Sequence, residues 1–84
     1  MVTVLFFAAL RESLGTSRER VAIAGPGTTV AALVESLRQR EGAWSEAFAP
    51  GKNWRVAVNQ RMASLATPLQ AGDEVAFFPP VTGG

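Results

Sequence analysis

Hydrophobic and polar side chains alternate in several short stretches of the chain, which is the pattern of half-buried β-strands. The first stretch combines β-branched and aromatic residues, and the others are shorter alternations bounded by Gly, Pro or Asn. Proline has no N–H to donate to a ladder, so the last stretch should stop before Pro79-Pro80. We therefore predict about five strands, at residues 2–8, 20–23, 54–58, 61–63 and 74–78.

The period changes to that of a helix between the second and third stretches. Four apolar residues recur there at i, i+3, i+4 and i+7, which places them on one helix face: Val30, Leu33, Val34 and Leu37. Thr28 or Thr29 is a suitable N-cap, and we place Gly42 as the C-cap. Residues 44–48 predict a further helical turn before Pro50-Gly51, whereas residues 10–15 are interpreted as a connection. The pattern predicts one main helix.

The alternation also assigns side chains to the two sheet faces. Polar Thr3, Arg55 and Glu74 mark an outer face, so the residues that alternate with them should face the helix: Val2, Val4, Phe6, Val21, Ile23, Val56, Val58, Val75 and Phe77. The outer face then also receives apolar side chains with no second helix to cover them: Leu5, Phe7, Ala57 and Phe78. Such a patch is typical of a docking surface, although residues 44–48 offer an alternative cover.

The order strand, strand, helix, strand, short strand, strand predicts an α+β roll, in which one main helix lies across one face of a mixed sheet of about five strands. The length of 84 residues fits one hydrophobic core. We therefore expect one domain over residues 1–78, followed by a C-terminal tail over residues 79–84.

Composition excludes several functions. Eight Lys and Arg against seven Asp and Glu give a net charge of +1, and because the basic residues are scattered we expect neither a nucleic-acid nor a membrane partner. The chain has no Cys and no His, so it lacks a thiolate nucleophile, an imidazole base and an ordinary zinc site. The apolar run at residues 4–10 is too short to cross a bilayer and no signal peptide is evident, which favours a cytoplasmic location.

The tail is the segment whose sequence most clearly suggests a chemical function. Two prolines stiffen its base, and two glycines without Cβ atoms make its end slender enough for a narrow active site in another protein. The segment reads Pro79-Pro80-Val81-Thr82-Gly83-Gly84. A frayed terminus is the simpler interpretation of two terminal glycines taken alone.

A family resemblance favours a functional tail over a frayed terminus. The chain closely resembles the small subunits of molybdopterin synthase, the MoaD family, over Gly72-Asp73-Glu74-Val75-Ala76-Phe77-Phe78-Pro79-Pro80-Val81-Thr82-Gly83-Gly84. Residues 4–8, 11–12, 15–16 and 57–60 also resemble that family, whereas the helix matches only in pattern. The resemblance implies a ubiquitin-like β-grasp fold.

The resemblance also implies a mechanism. An ATP-dependent activating enzyme would adenylate the Gly84 carboxylate, and sulfur would then replace AMP to give a thiocarboxylate. This terminus would enter the large subunit and donate sulfur to cyclic pyranopterin monophosphate, forming the molybdopterin dithiolene. The chain would bind no cofactor and would be no enzyme on its own, because the catalytic residues would belong to the large subunit. A heterotetramer of two small and two large subunits is implied.

Site residues follow from the resemblance and from the strand pattern. Gly84 would be the reacting residue and Gly83 its neighbour, while the partner-binding residues would be Leu5, Phe7, Phe78, Pro79, Pro80, Val81 and Thr82. Two alternatives share the same activated carboxylate. One is a sulfur carrier for thiazole or another thio-cofactor, and the other is a ubiquitin-like modifier joined to lysines.

Overall fold

The computed structural model describes residues 1–79. This part of the chain contains five strands and three helices: β1 (Val2–Phe6), α1 (Ala8–Leu14), β2 (Arg18–Val21), α2 (Val30–Arg38), α3 (Ala43–Ala47), β3 (Arg55–Val58), β4 (Arg61–Met62) and β5 (Glu74–Phe78). The predicted α+β class and the sheet of five strands are confirmed.

The five strands form one mixed sheet in the order β2-β1-β5-β3-β4. β1 and β5 run parallel at its centre, with Phe6 opposite Phe77, and every other neighbouring pair is antiparallel. The first and last strands of the chain are therefore neighbours. Strand boundaries shift from the prediction, since β1 ends at Phe6 and β2 spans residues 18–21 rather than 20–23. Ile23 lies beyond β2 but still packs against the core.

The main helix forms where its period predicted it. The Thr29 side chain caps α2, because its hydroxyl accepts a hydrogen bond from the Ala32 N–H at 3.2 Å. The predicted stripe is buried along its length: Val30, Leu33, Val34 and Leu37. The assignment of Gly42 as its C-cap is wrong. The helix already ends at Arg38, and Gly42, at φ 60° and ψ −135°, instead precedes α3.

The predicted connection at residues 10–15 is also wrong, because most of it belongs to helix α1. Leu10 and Leu14 lie one helical turn apart; Leu10 is buried, and Leu14 packs against the core at its edge. Gly15 ends the helix in the left-handed conformation at φ 73°, and its N–H donates to the Arg11 carbonyl at 3.0 Å. The further helical turn predicted at residues 44–48 is confirmed as α3. Within residues 1–79, every helix falls short of the length and apolar character that a membrane span requires.

The core lies between the sheet and the helices and is rich in aromatic rings. Phe77 is fully buried and contacts Phe48 and Trp54 edge to face, each at 5.2 Å between ring centroids, and it stacks with Phe6 at 6.2 Å. Edge-to-face pairs of this kind stabilise a core beyond the area that they bury. We call this side of the sheet the inner face.

Candidate functional site

The opposite side of the sheet, which we call the outer face, carries a row of side chains across all five strands. Residues paired in a sheet point to the same side, so the strand register defines the row. From one sheet edge to the other it contains Arg18, Leu5, Ala76, Ala57 and Met62. Its centre is apolar, and no helix of the described chain was found to pack across it.

The predicted patch residues lie on this face, with one correction. Leu5 and Phe78 are half-buried, and Phe7 is 45% exposed where the extended backbone of β1 continues past Phe6. Ala57, predicted to be exposed, is only 9% exposed. Its short side chain is flanked in the register by Ala76 and Met62, which shield it from solvent.

The alternative that residues 44–48 cover this patch is wrong. The Trp44 ring lies 5.3 Å from the Phe6 ring, and the Phe48 ring lies 6.5 Å from it. Phe6 points into the core, so α3 packs on the inner face. The outer apolar side chains are left without that cover.

The tail begins at the end of the central strand β5. Phe78 is the last residue of β5, as predicted, and Pro79 follows it half-buried. Pro79 lines a shallow cleft of about 210 Å³ together with residues of α1 and residues 52–54. The other predicted tail residues lie outside the described part of the chain: Pro80, Val81, Thr82, Gly83 and Gly84.

A hydrogen-bond network holds β3 in register with β5. The Asn59 side chain accepts from the Glu74 N–H and donates to the Asp73 carboxylate, each at 3.0 Å. Asp73 also accepts from the Gln70 N–H at 2.8 Å. Asn59 adopts a left-handed φ of 51°, a conformation that Asn tolerates better than most residues. The sequence predicted a turn at Asn59-Gln60. It did not predict the hydrogen-bond network that aligns β3 with β5 in the outer row.

Met62 is an apolar outer-face residue that the sequence reasoning missed. It is 62% exposed, and its partner in the register is Ala57. The alternation of residues 61–63 predicted a short strand. The face on which Met62 lies became clear only from the pairing of β4 with β3. With Met62 the apolar row reaches the sheet edge.

Within residues 1–79 no group of Asp, Glu, His or Cys is arranged to hold a metal ion. The Arg38 guanidinium lowers the pKa of Glu35 through a hydrogen bond, at 2.7 Å in the shortest contact, but this pair lies on α2 in the helix layer. The features near the tail are an apolar surface and the strand that leads into residues 80–84.

A five-stranded mixed sheet with one main helix across its inner face defines a ubiquitin-like β-grasp protein, here with an open outer face beside the start of the tail. The chain belongs to the ThiS family, whose model matches residues 4–84. It is 49% identical to the molybdopterin synthase sulfur carrier subunit of Escherichia coli (strain K12), over 100% of both chains. The predicted resemblance to the MoaD family is confirmed, and with it the role of a sulfur carrier.

Solved structures agree with this assignment. The chain is 32% identical to the small archaeal modifier protein 1 of H. volcanii, with a TM-score of 0.79 and coverage of 95% of this chain and 97% of that one. A complex of subunits 1 and 2 of molybdopterin-converting factor from Helicobacter pylori 26695 contains a chain that is 26% identical, with a TM-score of 0.67. That match covers 99% of this chain and 97% of the other.

Proposed function

We propose that the chain carries sulfur as a thiocarboxylate on Gly84 and donates it, inside a larger partner subunit, to cyclic pyranopterin monophosphate, so that the molybdopterin dithiolene forms. The observation that supports this most directly is the place where β5 ends. Phe78 ends this central strand on an apolar face that no helix of residues 1–79 covers, and in the sequence Gly83-Gly84 follow a few residues later. A partner that binds the outer face therefore lies next to the start of the tail.

The chemistry assigns the reacting group to the terminus. A carboxylate is a poor electrophile, so ATP converts the Gly84 carboxylate to an acyl-adenylate with release of pyrophosphate. A persulfide from a cysteine-desulfurase route then attacks the acyl carbon and displaces AMP, which is a good leaving group, to give an acyl disulfide. A second thiol cleaves the S–S bond of this intermediate, which releases the thiocarboxylate and leaves a disulfide as the oxidised product. Because the chain has no Cys, the sulfur has no side-chain thiol on which to travel. Two sulfurs complete one dithiolene, so two carrier turnovers serve each product.

Two partners follow from this chemistry, a large synthase subunit and an ATP-dependent activating enzyme. The similar chain from Helicobacter pylori is part of a complex of subunits 1 and 2, which supports the first partner. Leu5, Phe7 and Phe78 would dock against it, and residues 79–84 would enter its active site. The charged catalytic residues would belong to the large subunit, in a heterotetramer of two small and two large subunits, and ATP would be bound by the activating enzyme alone.

Removal or extension of the terminus tests the mechanism. Deletion of Gly84, or addition of one residue after it, should abolish dithiolene formation, because the reacting carboxyl is displaced or blocked. The melting temperature should stay unchanged, since the core consists of residues 2–77. Gln39→Ala is the control and should keep activity, because Gln39 is exposed in the helix layer. Dithiolene formation by the truncated chain would overturn the mechanism.

A second candidate function is that of a ubiquitin-like modifier, which the likeness to a small archaeal modifier protein favours. The same acyl-adenylate would then react with a lysine amine and form an isopeptide bond. Intact-mass analysis of the chain, after incubation with its activating enzyme and a sulfur donor, separates the two. Exchange of one oxygen for sulfur supports the carrier, whereas covalent adducts to lysine-bearing proteins support the modifier. A thiazole carrier would show the same exchange but no transfer with the large synthase subunit.

A further inference from the structure

Three arginines lie on the outer face around its apolar row. Two of them belong to β2 at one side of the sheet, and the third belongs to β3 beside the end of β5. The register places them opposite outer-face residues, in the pairs Arg18 with Leu5, Arg20 with Thr3, and Arg55 with Phe78. All three arginines are exposed. The apolar centre therefore has a basic margin on two sides.

Within residues 1–79, none of these three arginines forms an ion pair with a carboxylate. Within residues 1–79 the ion pairs are Arg38 with Glu35 and Arg40 with Glu19. Glu19 lies between Arg18 and Arg20 in sequence, but on the inner side of β2, where it pairs with Arg40 from beyond α2. The guanidinium groups of the outer face thus keep their capacity for charge-assisted hydrogen bonds.

The charge of the chain is distributed unevenly as a result. Among the strand residues that the register places on the outer face, the three arginines are accompanied by one carboxylate, Glu74, so these residues carry a formal charge of +2. Because the whole chain has a formal charge of +1, the remaining residues sum to −1. The net charge of the whole chain therefore does not reveal that the outer face is basic.

Arg55 has the most consequential position of the three. It is opposite Phe78, the last strand residue before the tail. A carboxylate that binds Arg55 is therefore held next to the point where residues 79–84 leave the sheet. Two strands, β1 and β5, separate Arg55 from Arg18 and Arg20, so contacts on both sides would fix the rotation of the domain on its partner as well as its position.

We infer that the partner protein which takes the outer face carries carboxylates opposite Arg55 and opposite the pair Arg18 and Arg20, around an apolar patch that receives Leu5 and Phe78. This inference rests on the proposed function and adds the chemical nature of its partner surface. A single-stranded nucleic acid would also pair with arginines, but it stacks its bases on aromatic side chains. The centre of this row is aliphatic, at Leu5, Ala57 and Ala76, which favours a protein.

Charge reversal at single positions tests the inference with matched controls. The affinity and association rate for the purified large subunit, and separately for the activating enzyme, are measured for Arg55→Glu and Arg18→Glu at low and high salt. Arg61→Glu is the control, because Arg61 is an exposed arginine of the same sheet that is paired with inward-facing Val58. It makes the same change in net charge on the opposite side.

We expect Arg55→Glu to weaken binding about ten-fold at low salt, mostly through slower association, with a smaller loss at high salt. Arg18→Glu should act in the same direction with a smaller factor, and Arg61→Glu should stay within about two-fold of the original chain. Melting temperatures of all three variants should be near normal. An acidic residue of the large subunit whose change to Lys restores binding of Arg55→Glu would identify the contact.

Two results would overturn the inference and leave the proposed function standing. One is an equal effect, or no effect, of Arg55→Glu and Arg61→Glu while the original chain binds the large subunit normally. The other is binding of a labelled single-stranded RNA that Arg55→Glu and Arg18→Glu abolish while protein binding is unchanged. If the original chain binds neither the large subunit nor the activating enzyme, the proposed function fails and the inference fails with it.

Discussion

Phe77 and Phe78 are adjacent in one strand and have opposite environments. Phe77 is 0% exposed and contacts the rings of Phe6, Phe48 and Trp54 on the inner face. Phe78 is half-buried on the outer face, opposite Arg55. Two residues of identical chemistry therefore serve different ends, because side chains alternate between the faces of a strand. Position in the alternation, rather than hydrophobicity, decides which residues stabilise the domain and which remain available to a partner.

The two central strands both show this division. In β1 and β5 the inward residues are fully buried, while their sequence neighbours Leu5 and Ala76 keep part of their surface in solvent. One sheet thus supplies the core and the candidate docking surface at once. Substitutions on the two faces should separate stability from binding, and the following predictions test that separation.

The largest effect is expected for Phe77→Ala. Removal of a fully buried ring that contacts three aromatic neighbours should lower the free energy of unfolding by about 3–5 kcal/mol. This is a large part of the stability of an ordinary domain. Urea unfolding followed by circular dichroism measures the loss, and Phe78→Ala is the matched control. A loss below about 1 kcal/mol would show that the inner aromatic cluster is not the main support of the fold.

Phe78→Ala should have the opposite outcome. The melting temperature should stay near normal, while affinity for the large subunit should fall ten-fold or more, because a ring buried on association contributes about 1.5–3 kcal/mol. Binding to the activating enzyme should fall as well, since both partners receive the same tail. Calorimetric titration and thermal unfolding of one preparation measure both quantities. A destabilised chain with unchanged affinity would refute the docking role.

A smaller effect is expected at the turn that aligns β3 with β5. Asn59→Ala removes two side-chain hydrogen bonds and places Ala at a left-handed φ, so the free energy of unfolding should fall by about 1–2 kcal/mol. Asn59→Gly loses the same bonds without the backbone strain, and it should cost less. Urea midpoints of the two variants separate these causes. Equal losses would mean that backbone strain plays no part.

The smallest effect concerns the exposed pair on α2. The hydrogen bond from Arg38 holds the pKa of Glu35 below its usual value in the folded state. A lowered pKa means that the pair stabilises the fold above the ordinary carboxylate pKa, and that this contribution disappears as the pH falls through the lowered pKa. Glu35→Gln should therefore melt slightly earlier than the original chain at neutral pH and equally in acid. A difference that grows in acid would contradict this sign.

The sequence predicted those parts of the fold that depend on local period. Alternation identified the strands and their inward residues, and the four-residue stripe with Thr29 identified α2. Helix α1 was not predicted, because it follows a strand with only one intervening residue. In addition, Ala8 adopts a φ of 51°, which the composition of this segment does not indicate. The spacing of Leu10 and Leu14, with Gly15 after them, was the available signal.

The candidate site was predictable in part. Parity placed Leu5 and Phe78 on the outer face, but it gave no strand order. That order brings Met62 of β4 and Arg18 of β2 into one row, through pairings between residues that are far apart in sequence. The network of Asn59 and Asp73 likewise depends on residues fourteen positions apart. Local patterns do not specify such contacts.

The pairing of the first strand with the last has a consequence for how the molecule is made. Thr3 is synthesised about seventy residues before its partner Glu74. The centre of the sheet therefore stays open throughout synthesis, and folding must wait for a long-range closure of the kind that makes β-rich topologies slow. Because the outer row draws Leu5 from one end and Ala76 from the other, an incomplete chain presents no finished docking face. If the outer face is the docking surface proposed above, a partner that binds it would bind finished molecules in preference to fragments that lack β5.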